Sequence, residues 1–171
     1  MQQMPLDSAE ARVEIAAPVA KVWELVGDPL RCGDWSPENL GGRWLDGATR
    51  PALGARFRGT NRRGLAWWYT NCTVVRYEPE RAIAWEVRVP WGGPPLSRWT
   101  YELAPSAAGT EVTERWELLN ASALTRATWV LVAGSPAARV AMLKASLATS
   151  LGKLKSVLER DVVAAGEGGQ A

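Results

Sequence analysis

SPAARVAMLKASLATSLGKLKSVLERDV, Ser135 to Val162, is the stretch around which the rest of the chain must be arranged. Ser135 followed by Pro136 reads as a helix cap with a first-turn proline. Val140, Leu143, Leu147, Leu151, Leu154, Leu158 and Val162 then recur at steps of three and four. That spacing predicts one amphipathic helix with a narrow, nearly all-leucine seam, roughly 40 Å long at ~1.5 Å per residue. Such a seam needs an apolar surface to lie on.

The upstream sequence supplies one. Residues 9–15 alternate, with Ala11, Val13 and Ile15 on one face and Arg12 and Glu14 on the other, which predicts a half-buried strand. Pro18 opens a short helix carrying Val19, Val22, Trp23 and Val26 up to Gly27, and Asp28-Pro29 caps a second short helix that ends near Asp34-Trp35. Six further strands are predicted at residues 38–45, 55–62, 67–77, 81–89, 98–104 and 111–119. Asp46-Gly47, Arg63-Gly64, Glu78-Pro79, the Gly92-Gly93-Pro94-Pro95 loop and Ala108-Gly109 separate them. Residues 121–134, containing TWVLV, read as a helix start or a flap. The expected fold is therefore α+β: a curved, seven-stranded antiparallel sheet wrapped around the long C-terminal helix, with two short helices plugging one end. Side chains cannot fill that concavity completely, so an internal cavity is expected.

Composition narrows the function classes. Hydrophobic residues make up 47% of the 171 and charged residues 22%, which fits one folded domain, placed at 8–165 between short flexible tails at 1–7 and 166–171. No apolar run approaches ~18 residues, so no transmembrane segment is expected. The N-terminus lacks the apolar stretch of a signal peptide, and Cys32 and Cys72 are too few for a disulfide scaffold; a cytoplasmic protein with reduced thiols is expected. A net charge of +2 without a basic block argues against nucleic acid. The chain has no histidine, which removes Ser-His and Cys-His nucleophiles and, with two cysteines, most zinc sites. No glycine pattern matches a phosphate or dinucleotide cradle, so neither metal nor cofactor is expected. Ten tryptophans against three tyrosines and one phenylalanine suit a lined cavity, or Trp standing in for Phe in ordinary packing.

Several segments then become familiar together: IAAPVAKVWELVGDPLRCGDWSPE, GARFRGTNRRG, YEPERAIAWEV and WTYELAPSAAGTEVTERWEL. In this order, between a first strand and a long last helix, they resemble the START-like, helix-grip (SRPBCC) superfamily, and within it the polyketide cyclase/dehydrase and lipid-transport branch. The resemblance implies a cavity for a hydrophobic small molecule, with or without catalysis. It also implies that Trp35, at the end of the second short helix, and Trp44, on the following strand, wall the capped end of that cavity.

Strand alternation sorts the remaining candidates. Trp85 points inward with Ile83 and Val87, and Trp99 and Tyr101 point inward with Leu103. Val112, Glu114, Trp116 and Leu118 share a face, on which Glu114 is the anomaly: a carboxylate in phase with three apolar neighbours. Facing an apolar cavity, its ionised form is disfavoured, which suits proton transfer near neutral pH; pairing with an arginine, or a bulge that turns it outward, is the structural alternative. Tyr101 is placed to donate a hydrogen bond to a ligand carbonyl. Asn61 with Phe57, Thr70 with Trp68 and Cys72, and Glu38 complete the inward polar set, and Leu143 and Leu147 represent the helix. The turn Asn61-Arg62-Arg63-Gly64, close to Arg56 and Arg58, suits steering of an acyl carrier protein or an anionic ligand, and a solvated hairpin tip accounts for it equally.

Three functions fit. One is a binding module for a polyketide-like or lipid ligand; another is a polyketide cyclase, aromatase or dehydratase using Glu114 and Tyr101. A protein-interaction domain with a filled core is the third. The sequence leaves monomer or homodimer open.

Overall fold

A computed structural model describes residues 5–167. Strand β1 (Asp7–Ile15) leads into helix α1 (Val19–Val26) and a 3-10 turn at Pro29–Asp34, after which six strands follow without interruption: β2 (Asn39–Trp44), β3 (Arg56–Arg63), β4 (Ala66–Glu78), β5 (Ala82–Arg88), β6 (Ser97–Ser106) and β7 (Gly109–Leu118). All pairings are antiparallel, in the order β1-β7-β6-β5-β4-β3-β2, so the meander closes against its own first strand. Each expected strand is present, with ends displaced by one or two residues, as fraying turns allow. β1 begins at Asp7, one residue before the expected domain start; residues 1–4 and 168–171 of the expected tails lie outside the described residues, as does the side chain of Val162.

The segment left open between helix and flap is a helix, α2 (Ala123–Ala133), whose N-terminus is capped by Ser122 accepting from the Thr125 amide at 3.1 Å. Gly134 ends it in the left-handed conformation at φ 80, which a β-carbon would disfavour, and α3 (Pro136–Glu167) leaves at 70° to it. Ser135 caps α3 through the Ala138 amide at 3.0 Å, with Pro136 in the first turn as expected. Among the described residues no single helix is long and apolar enough to cross a membrane.

Leu151, Leu154 and Leu158 of α3 are buried with Val22 and Val26 of α1, Ile15, Val112 and Cys32; this is the main core, and it fills one end of the sheet's concave face. A second core joins Leu147 to Trp116, Leu118 and Trp129. On the outer face of β1, β7, β6 and β5, charges alternate across strands: Glu10 holds Arg12 and Arg115, Glu102 holds Arg76, and Glu86 holds Arg98. Such surface pairs, exposed or half-buried, stabilise little singly but leave that face electrically balanced.

Candidate functional site

Between the two cores the concave face encloses a cavity of about 470 Å³. Register builds its floor. β6 and β7 place Tyr101 directly opposite Glu114 and Trp99 opposite Trp116, while β5 places Trp85 opposite Trp99. On the far side β3 and β4 add Phe57, Asn61, Trp68, Thr70 and Cys72, and α3 adds Arg139, Leu143, Ser146 and Ser150. Buried Tyr101, Glu114, Phe57 and Cys32 mark the inner end; half-exposed Trp91 and well-exposed Leu131 border the outer one.

Glu114 is 1% exposed. Its Oε1 accepts the Tyr101 hydroxyl at 2.6 Å, and that hydroxyl in turn accepts the Trp35 indole N–H at 3.3 Å. Oε2 is buried and has no hydrogen-bond partner among the described residues. Burial pushes the Glu114 carboxyl up to about 8, with the Tyr101 hydrogen bond working the other way, so the proton stays on near neutral pH. Burial first, then the neighbouring Glu114 charge, raises Tyr101 well above its ordinary range and keeps it a donor. Neither structural alternative occurs: among the described residues no arginine pairs with Glu114, and β7 runs through this point in unbroken register. A buried carboxyl oxygen without a partner costs on the order of 1–3 kcal/mol, which a ligand donor or acceptor would recover.

The aromatic residues form a chain rather than a uniform lining. Tyr101 stacks on Trp85 at 5.8 Å, and Trp85 meets Phe57 edge-on at 6.2 Å. Trp44 then meets Phe57 at 5.6 Å, and Trp35 meets Tyr101 at 6.4 Å, each from behind. Trp35 and Trp44 therefore do not border the cavity as expected; Tyr101 and Phe57 stand in front of them, and the two indoles buttress the wall. Leu147 is also displaced from its expected place, turned into the second core against Trp116 and Trp129. Glu114, Tyr101, Phe57, Asn61, Trp68, Thr70, Trp85, Trp99, Trp116 and Leu143 all border the space. Asn61 donates to Thr70 at 3.4 Å and accepts from Asn39 at 3.3 Å, a weak polar seam along one wall.

Sequence reasoning missed Arg139. It is 7% exposed, forks onto Glu38 at 2.6 and 2.7 Å, and lies over the Trp68 ring at 5.4 Å. Burial opposes ionisation of Glu38, but the Arg139 hydrogen bonds and charge, helped by Arg63 at 2.9 Å, outweigh it and hold the carboxyl below its ordinary value. This ion pair ties the start of α3 to the segment before β2 and closes that wall. A cation in the stripe Arg139, Leu143, Ser146, Ser150 was the available signal. Cys32 and Cys72 are buried free thiols, the latter pushed up to about 12 by burial, and so are unreactive wall atoms.

A cavity under a long helix gripped by a meander, ending at a protonated carboxyl, is matched by a family model over residues 7–159, described as polyketide cyclase / dehydrase and lipid transport. The chain belongs to this family. Solved relatives share the helix-grip fold. The aromatase/cyclase ZhuI of Streptomyces sp. R1128 superposes with a TM-score of 0.67 at 21% identity, over 94% of this chain and 98% of that one. The polyketide-cyclase-like protein Cgl2372 of Corynebacterium glutamicum gives 0.58 at 26% identity, over 95% of both chains. DynU16, a putative protein of the dynemicin biosynthetic locus, gives 0.60 at 24% identity, over 91% of this chain but 48% of its own. No curated protein matches the sequence. In this chain the cavity is bordered by Glu114 and Tyr101, with Trp35 behind them in the same hydrogen-bond series, and by the Glu38–Arg139 ion pair.

Proposed function

We propose that the protein binds a hydrophobic small molecule, polyketide-like or lipid, in the cavity between sheet and α3. The observation that carries this reading is a space of about 470 Å³ walled by Trp85, Trp99 and Trp116 that ends at one unpartnered carboxyl oxygen. Volumes of this order, mostly apolar with few convergent polar groups, are what small-molecule sites require. An interaction domain with a filled core has no use for it. Native mass spectrometry of the protein after exposure to a hydrophobic cell extract tests the proposal: a retained species also present in the extract supports it, and no retained species refutes it.

Glu114 favours a second reading, in which the family's cyclase or dehydratase chemistry takes place here. A carboxyl held protonated near pH 7 is an acid; in a dehydration it would protonate the hydroxyl that leaves as water, and the resulting carboxylate would take the α-proton that completes the double bond. Tyr101 would donate to Oε1 throughout, and the aromatic walls would fold the chain so that the reacting atoms meet. A bound species lighter by one water, formed by the wild type and absent with Glu114→Gln, supports catalysis; retention of unchanged ligand by both supports a carrier.

A further inference from the structure

The outer face of the sheet is electrically divided. Over β1, β7, β6, β5 and the distal end of β4 it is balanced by the ion pairs described above, whereas over β2, β3 and the start of β4 it is not. Arg43 and Arg58 are direct cross-strand partners, a like-charge juxtaposition that costs stability, and neither makes an ion pair among the described residues; nor does Arg62. Arg56 is answered by Asp46 at 2.7 Å, and Arg76, at the far end of β4 from the hairpin tip, by Glu78 and Glu102. Arg58 donates to Asn71 and Arg62 to the Gly64 carbonyl, each at 3.2 Å, and exposed aromatic rings are interleaved with them: Arg62 lies over Trp67 at 5.4 Å and Arg58 over Tyr69 at 6.0 Å. Trp67 is 59% exposed, Tyr69 54%, and Leu65, at the β3–β4 hairpin tip, 100%. A solvated hairpin has no reason to place a leucine, a tryptophan and a tyrosine outward in a row beside unpaired arginines.

We infer that the outer face of the β3–β4 hairpin, from Arg58 to Tyr69, docks on an anionic lipid bilayer. Arginines without a carboxylate partner meet lipid phosphates, Trp and Tyr suit the headgroup level, and the tip leucine enters the acyl boundary. A nucleic acid or an acidic protein surface would leave Leu65 without an apolar partner. Asn61, Trp68 and Thr70 of the same hairpin border the cavity from its inner side, so docking lays one cavity wall against the lipid phase. The inference goes beyond ligand binding and does not depend on it.

The test is sedimentation of the full chain with vesicles of phosphatidylcholine alone and of phosphatidylcholine mixed with phosphatidylglycerol. Binding is expected to the anionic vesicles only, and is expected to weaken as salt is raised. Arg58→Gln with Arg62→Gln is expected to weaken it about 25-fold, about fivefold per arginine, and Leu65→Ser about tenfold. The salt titration of the wild type supplies the charge test without any substitution. Absence of binding to anionic vesicles at low salt overturns the inference. So does binding that these variants leave unchanged, or capture of an acidic carrier protein by this face without vesicle binding. Ligand uptake in vesicle-free solution is a separate readout, so failure of one proposal is distinguishable from failure of the other.

Discussion

Replacing Glu114 by glutamine removes one titration from an otherwise similar wall, and the consequence can be worked out from the structure. The ordinary carboxyl value is 4.5, and burial raises it to about 8 in the folded chain. Between those values the folded state holds a proton that the unfolded state has released, so folding binds protons and stability falls as pH rises. The contribution is fully present below 4.5 and is lost by about 8. For the wild type the loss between about pH 5 and about pH 9 amounts to about 4 kcal/mol, at about 1.4 kcal/mol per unit. Glu114→Gln keeps an oxygen to accept from Tyr101 and does not titrate. Any cost of its unpaired amide is the same at every pH. Urea unfolding followed by tryptophan fluorescence is therefore expected to show the variant gaining about 4 kcal/mol on the wild type across that range. A difference that stays flat with pH would refute the claim that burial keeps the proton on Glu114, and with it the acid role.

Arg139→Ala strands a half-buried Glu38 with Arg63 alone; a loss of about 3 kcal/mol is expected in thermal or urea unfolding, with the Glu38 carboxyl shifted upward in an NMR titration. Leu154→Ala empties a site of zero exposure in the main core and is expected to cost about 2–5 kcal/mol, whereas Leu143→Ala, partly buried beside the cavity, is expected to cost less and to change ligand affinity instead. The Cys32 and Cys72 thiols, both buried and raised, are expected to stay inert to a thiol reagent near neutral pH until the chain unfolds, as stopped reactions in rising urea would show.

What was legible in the sequence is what depends on period. Glu114 stood out because β7 keeps strict alternation; the register shifts fall elsewhere, between Asn39 and Gly42 and between Val74 and Arg76. Trp35 was misplaced because the end of a short helix has no period from which to read a direction, and its indole turned behind Tyr101 rather than toward open space. Leu147 and Leu143 are neighbours on one seam, and no count of leucines separates the stripe that seals a core from the stripe beside it that borders a cavity. The Glu38–Arg139 clamp joins residues 101 apart, so it required the fold itself, although the arginine's phase with Leu143 was visible.

The cavity is in part a consequence of dimensions. Seven strands at ~4.8 Å span roughly 30 Å, while a helix is about 10 Å across, so α3 alone cannot cover the concave face. At one end α1 and the 3-10 turn fill the deficit with Val22, Val26 and Cys32; at the other α2 contributes Trp129 and leaves a gap. Space of this kind would arise whatever the chain did, and taken by itself it is weak grounds for a function. Glu114 is different. Leucine or methionine would fill the same position without an unpaired oxygen and without the pH-dependent penalty, and Tyr101 and Trp35 would not need to be aligned in series behind it. A residue that costs the fold stability, held by the Tyr101 hydroxyl that Trp35 in turn orients, at the inner end of an apolar space, makes sense as part of what the cavity receives.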